Sequence, residues 1–231
     1  MVLAHFHFEE KDSPTGKITA VYKDGKPLTD GMRLEMPDAI VQTYFKSALR
    51  NLSRMTQSED DQEDNRHHGV QAFLMSLVGL EAFLNVYFHM IGREKNLPEI
   101  VDMATKRKIN VETKIAHLPF KAFGLHLAGQ KTLNKKAREL YDLRSAIVHP
   151  KWEQSSFSMP GIVISGMVDN FQRAFEDQEF CRDALCWCAL IIARIGMLQN
   201  PTSDYFVTRW TTLHETNKTL SDALGIPELE A

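Results

Sequence analysis

Cysteine is scarce: Cys181, Cys186 and Cys188 are the three in 231 residues. An odd count with C-x4-C-x-C spacing excludes a disulfide framework and matches no common zinc pattern. Cys186 and Cys188 fall in one apolar run and Cys181 lies just before it, which predicts reduced core residues in a cytoplasmic protein. Long hydrophobic runs are missing too. The longest uninterrupted one, 184–193, is too short to span a bilayer. The stretch 72–91 is long enough, but Glu81, Asn85 and His89 interrupt it. A buried helix explains it better than a membrane span, so no membrane partner is expected. The opening MVLAHFHFEE lacks a basic segment followed by an apolar one, so no signal peptide is expected. An excess of positive charge is also lacking: 27 Lys and Arg stand against 30 Asp and Glu, net -3. Any nucleic acid must therefore be held by a local patch rather than a global field. No G-x-S-x-G, H-E-x-x-H or Rossmann fingerprint occurs.

What remains is an ordinary globular composition, 43% hydrophobic and 25% charged, which excludes a disordered or collagen-like chain. The first 35 residues alternate weakly around turn signals at 13–16 and at Asp24-Gly25, which predicts a small β-meander. Residues 36–231 read as an all-α antiparallel bundle. Helices are predicted over about 37–57, 67–94, 98–108, 111–117, 132–149, 170–199 and 210–224. An acidic linker is expected at 58–65, a loop at 118–129 and a short strand at 162–164.

Two charges interrupt this pattern. At about 100° per residue, Leu133, Ala137, Leu140, Tyr141, Ile147 and Val148 share one arc of helix 132–149, and Arg144 falls at its centre. On the stretch 70–91, Val70, Phe73, Leu74, Leu77, Leu84, Phe88 and Ile91 share an arc. Glu81 sits at its centre, with Asn85 one turn on. A charge on a packing face must be paired, line a cleft or meet a partner chain. Glu81 and Arg144 are therefore expected close in space, either as a structural ion pair or as part of a polar cleft. His149, before Pro150, falls at a helix C-terminus, where the dipole favours the imidazolium.

The segment 143–150, LRSAIVHP, resembles the R-x4-6-H motif of HEPN domains, the higher-eukaryote and prokaryote nucleotide-binding helical bundles. The segment 80–85, LEAFLN, resembles the early-helix motif of several bacterial families in that group. The resemblance implies a homodimer in which two Arg/His pairs face each other across a cleft. Active members are metal-independent endoribonucleases, so no cofactor and no metal is expected. His149 then moves protons at the ribose 2′-OH or the leaving 5′-oxygen. Arg144 stabilises the phosphorane, and the product carries a 2′,3′-cyclic phosphate. Glu81 orients Arg144 and Asn85 lines the cleft. Ser145 departs from the pattern, since active members often carry Asn, Asp or His there. Many members only bind nucleotides, RNA or partner proteins. Host-defence and toxin–antitoxin roles are typical of such bacterial families, which makes a protein antitoxin a candidate partner.

Other features are weaker. The stretch 124–132, GLHLAGQKT, nearly spells a P-loop but has the wrong spacing and no preceding strand. His5-x-His7 and His67-His68 need a nearby carboxylate to bind metal. Lys106, Arg107, Lys108, Lys114 and Lys121 form one basic region, and Lys131, Lys135, Lys136 and Arg138 a second. If these flank the cleft, Lys114 and Lys131 can track an RNA backbone. Trp152, three residues past His149, can stack a base.

Overall fold

The computed structural model describes residues 6–10, 18–23, 26–27, 37–57, 62–106, 108–149, 156–159, 162–165, 174–199 and 204–213. The chain divides into two compact units, Met1–Met36 and Pro37–Ala231. The first holds an antiparallel sheet of β1 (Phe6–Glu10), β2 (Ile18–Lys23) and β3 (Lys26–Pro27), in that order. Phe6 pairs with Lys23, and the register shifts between Glu9 and Glu10.

The second unit is a helical bundle, as the periodicity predicts. In chain order it contains α1 (Asp38–Gln57), α2 (Gln62–Glu94), α3 (Pro98–Thr105), α4 (Val111–Phe123) and α5 (Gln130–Val148). A hairpin of β4 (Ser156–Met159) and β5 (Ile162–Ser165) follows. A 3-10 turn at Ala174–Glu176, α6 (Gln178–Met197) and α7 (Asp204–Thr211) complete the described residues.

The core forms around α2. A helix apolar on all sides must be covered on all sides, and α1, α3, α4 and α6 all pack on α2. Phe73, Leu77, Leu80, Phe83, Leu84 and Phe88 are fully buried. By length and composition α2 is apolar enough to cross a membrane; here those side chains fill the bundle core. Aromatic rings dock α7 on α2: Trp210 meets Phe83 edge-on at 5.1 Å, and Phe206 meets Tyr87 at 5.4 Å. The three cysteines are buried inside α6. Burial pushes the Cys181 thiol up to about 12, which keeps it out of thiolate chemistry.

Several boundaries differ from expectation. α2 starts at Gln62, so the end of the predicted acidic linker is helical. α4 runs through Pro119 to Phe123, where the pattern predicts a loop from 118. Proline gives up one backbone hydrogen bond there, but burial of Leu118, Pro119 and Ala122 continues the helix. Gly124 ends it in the left-handed conformation at φ 72°, with its N–H donating to the Phe120 carbonyl. α5 starts after Gly129, also left-handed, rather than near 132. Both glycines of the near P-loop thus serve helix ends. α6 starts at Gln178, where the Asp177 carboxylate accepts the Glu179 N–H, rather than near 170. α7 covers Asp204–Thr211, so a helix begins before 210; residues 214–224 of the expected last helix lie outside the described residues.

At Gly69 of α2 an added Cβ would lie 1.8 Å from the Phe175 carbonyl oxygen. Gly→Ala inside a helix ordinarily gains about 1 kcal/mol. Gly69→Ala is expected to lose about 2 kcal/mol or more instead, because backbone must move. Urea denaturation of the two proteins measures the sign directly.

Candidate functional site

Three elements meet beside Glu81. α2 carries Glu81 and Asn85 one turn apart on one face. α5 crosses α2 and is fastened by Tyr141, whose hydroxyl donates to the Leu77 carbonyl oxygen at 2.7 Å. Burial holds the Tyr141 phenol well above its ordinary pKa, so it stays a neutral donor. α4 begins at Asn110, whose side chain accepts the Thr113 N–H at 2.9 Å. Between the start of α4 and α5 lies a cleft of about 370 Å³, with Glu81 and Tyr141 in its lining.

The expected approach of Glu81 and Arg144 is present. The Arg144 guanidinium lies 3.9 Å from a Glu81 carboxylate oxygen. Both side chains are about one-third exposed, at 32% and 34%, so they face a wet cleft rather than a dry core. The guanidinium also lies over the Tyr141 ring at 5.7 Å, which adds a cation–π contact. Asn110, Glu112, Asp142, Arg138 and Ser145 complete the polar lining. Three carboxylates (Glu81, Glu112, Asp142) thus face two guanidinium groups (Arg138, Arg144).

Lys114 is the main correction. It was expected on the surface as an RNA contact, but it is 2% exposed. Its ammonium donates to Asn85 Oδ1 at 2.6 Å and to the Ala104 carbonyl at 2.9 Å. No phosphate can reach it there without unpacking α4. Burial lowers its pKa, and the Glu81 carboxylate partly opposes that shift. A sequence signal for this existed. Val111, Lys114, Ile115, Leu118 and Ala122 follow the helical spacing of one buried stripe, and its first three members already lie in the predicted helix 111–117.

The other expected contacts are scattered. Asn85 accepts from Lys114 behind the cleft instead of lining it. Ser145 lines the cleft. Lys131 is exposed at the opposite end of α5, about 20 Å from Arg144 along the axis, so the two cannot hold the same nucleotide. His149 caps the C-terminus of α5, with its N–H donating to the Ser145 carbonyl at 2.9 Å. It is exposed and does not line the cleft. Five helical positions turn it about 140° from Arg144. Trp152 lies outside the described residues.

Four residues of the basic regions are paired with carboxylates. Lys106, Lys121, Lys136 and Arg138 each have a carboxylate within 4.0 Å, from Asp102, Glu99, Asp183 and Asp142. His68 contacts Asn51 and Asp64. The described residues contain no group of three or more His, Cys, Asp or Glu that could hold a metal. Comparison with protein families, with curated proteins and with solved structures finds no match for this chain.

Two measurements test this geometry. Tyr141→Phe should cost about 1 kcal/mol in urea unfolding, through the lost bond to Leu77. Lys114 gives a pH signature. Its folded pKa lies below the ordinary 10.5, so between those two values the unfolded chain binds more protons. Wild-type stability relative to Lys114→Met should therefore rise as pH climbs through that window and level off near 10.5. Thermal melts of both proteins across the alkaline range read this difference.

Proposed function

We propose that the protein is a HEPN-like homodimer that binds RNA at the Glu81–Arg144 cleft and cleaves it without metal. The observation that carries this reading is the Arg144 guanidinium. It faces an open cleft, is held by Glu81 at 3.9 Å, and lies near the end of the helix that His149 caps. In the proposed reaction His149 accepts the proton of a ribose 2′-OH, and the 2′-oxygen attacks the adjacent phosphorus. Arg144 donates to the non-bridging oxygens as negative charge builds on the phosphorane. The bond to the 5′-oxygen then breaks, and that oxygen takes up a proton. The products are a 2′,3′-cyclic phosphate and a free 5′-hydroxyl. DNA, lacking the 2′-OH, binds without being cut. A host-defence or toxin role, with a protein antitoxin as partner, fits the same chemistry.

Two observations favour a second reading. His149 lies outside the cleft, and carboxylates outnumber guanidinium groups in its lining. A binding or scaffold module needs only the Glu81–Arg144 pair, as a structural link or a nucleotide contact.

The deciding experiment incubates wild type and His149→Ala with mixed-sequence RNA in EDTA and analyses the 3′ ends. Cyclic phosphate ends are expected from wild type, with cleavage by the variant at least about 100-fold slower. Equal cleavage by a folded His149→Ala removes the catalytic assignment. Absence of cleavage by both, with nucleotide bound, favours the second reading.

A further inference from the structure

A second cleft continues the first along α4 and α5. Its volume is about 350 Å³, and it shares Glu112 and Arg138 with the cleft at Arg144. Thr113, Ala116 and His117 line its α4 side, and Asn134 and Lys135 join Arg138 on its α5 side. The lining contributed by α5 therefore runs from Asn134 to Ser145, about 16 Å at 1.5 Å per residue. A groove of that length suits a short strand better than a single nucleotide.

The charge balance of the second cleft is the reverse of the first. One carboxylate, Glu112, meets two cations, Lys135 and Arg138. Arg138 lies 4.0 Å from Asp142. Lys135 is exposed and pairs with no carboxylate among the described residues. An unpaired ammonium at the rim of a groove is the kind of group that tracks a phosphate backbone.

Asn134 adds a hydrogen-bonding demand. Its Oδ1 is buried and has no partner among the described residues. Of the unpartnered buried side-chain atoms described, it is the one whose residue lines either cleft. Buried acceptors are ordinarily paired, because an unpaired one has lost water without replacement. The missing partner is a donor, and a nucleobase edge carries N–H donors. An asparagine amide can meet such an edge with its oxygen and nitrogen together. The bases of a single strand leave those edges free.

We propose that the second cleft seats a nucleobase of a single-stranded RNA lying along the α4–α5 groove, with Asn134 Oδ1 accepting a base N–H and Lys135 meeting the adjoining phosphate. The identity of the ligand rests on the RNA reading above. The contact itself stands about 15 Å along α5 from Arg144, so it can be tested without the chemistry.

The test uses the full chain and a 2′-O-methyl oligonucleotide of six residues, which offers no 2′-OH to attack. One abasic residue is moved through its six positions and the Kd is read by fluorescence anisotropy. At one position the missing base should weaken binding to wild type about tenfold and leave binding to Asn134→Leu unchanged. Equal losses in both proteins at every position overturn the proposal. Asn134→Leu should unfold at a urea concentration no lower than wild type, since it removes an unpaired acceptor; a clear fall assigns the amide to the fold and overturns the proposal. Lys135→Gln, at an exposed position, should reduce the slope of log Kd against log salt by about 0.7, and an unchanged slope removes the phosphate contact. Wild type that binds the oligonucleotide in this way but cleaves no RNA sinks the ribonuclease reading alone. Cleavage of RNA by wild type, with no abasic position distinguishing it from Asn134→Leu, sinks this proposal alone. A wild type that binds no oligonucleotide overturns both.

Discussion

The apolar girth of α2 is the constraint that the rest of the bundle obeys. A helix of 33 residues with Phe73, Leu77, Leu80, Phe83, Leu84 and Phe88 fully buried cannot leave a face to water. α1, α3, α4 and α6 are placed by the need to cover it. The aromatic contacts of Phe206 and Trp210 with Phe83 and Tyr87 extend that cover with α7. Truncating a buried aromatic such as Phe83 removes about 3–5 kcal/mol, a large part of an ordinary domain's net stability of roughly 5–15 kcal/mol.

Against that background, polar groups on α2 are costly and their placement carries meaning. Glu81 and Asn85 interrupt the helix where α5 and α4 approach. Each is matched from a different helix, Glu81 by Arg144 and Asn85 by Lys114. The two matches differ in kind. Arg144 and Glu81 are one-third exposed, so solvent screens their attraction and the pair adds little stability. Lys114 is buried, so its partners must replace water fully. Tyr141 joins the two regions by fixing α5 to the α2 backbone at Leu77 and placing its ring under Arg144.

The all-α bundle and the Glu81–Arg144 approach were legible because helical periodicity sorts residues onto faces, and a charge on an apolar face stands out. Lys114 obeys the same rule on α4, between Val111 and Ile115 in the predicted helix 111–117, whereas the continuation of that helix to Phe123 was hidden by Pro119. Local backbone preference argued for a loop, and tertiary burial of Leu118, Pro119 and Ala122 overrode it. The start of α5 was misplaced for a related reason: Gly129 opens the helix in a left-handed conformation, which no side-chain cap announces. The pairing of basic residues with Asp102, Glu99 and Asp183 was equally hidden, since it depends on which exposed faces meet.

The same periodicity bears on how Arg144 and His149 can serve one phosphate. In one chain they lie about 7.5 Å apart along α5 and about 140° apart around it. The arginine turns toward α2 and the cleft; the histidine, with Ser145 and Val148, is exposed at the helix end. In-line attack needs the base within hydrogen-bond reach of the 2′-OH while the guanidinium holds the non-bridging oxygens. A two-fold axis near the end of α5 meets that requirement under the proposed function, because each copy's exposed histidine then approaches the other copy's arginine. The proposed ribonuclease thus joins Arg144 and His149 across a dimer, whereas the second reading uses the Glu81–Arg144 pair as a nucleotide contact or as the structural link of a dimeric scaffold.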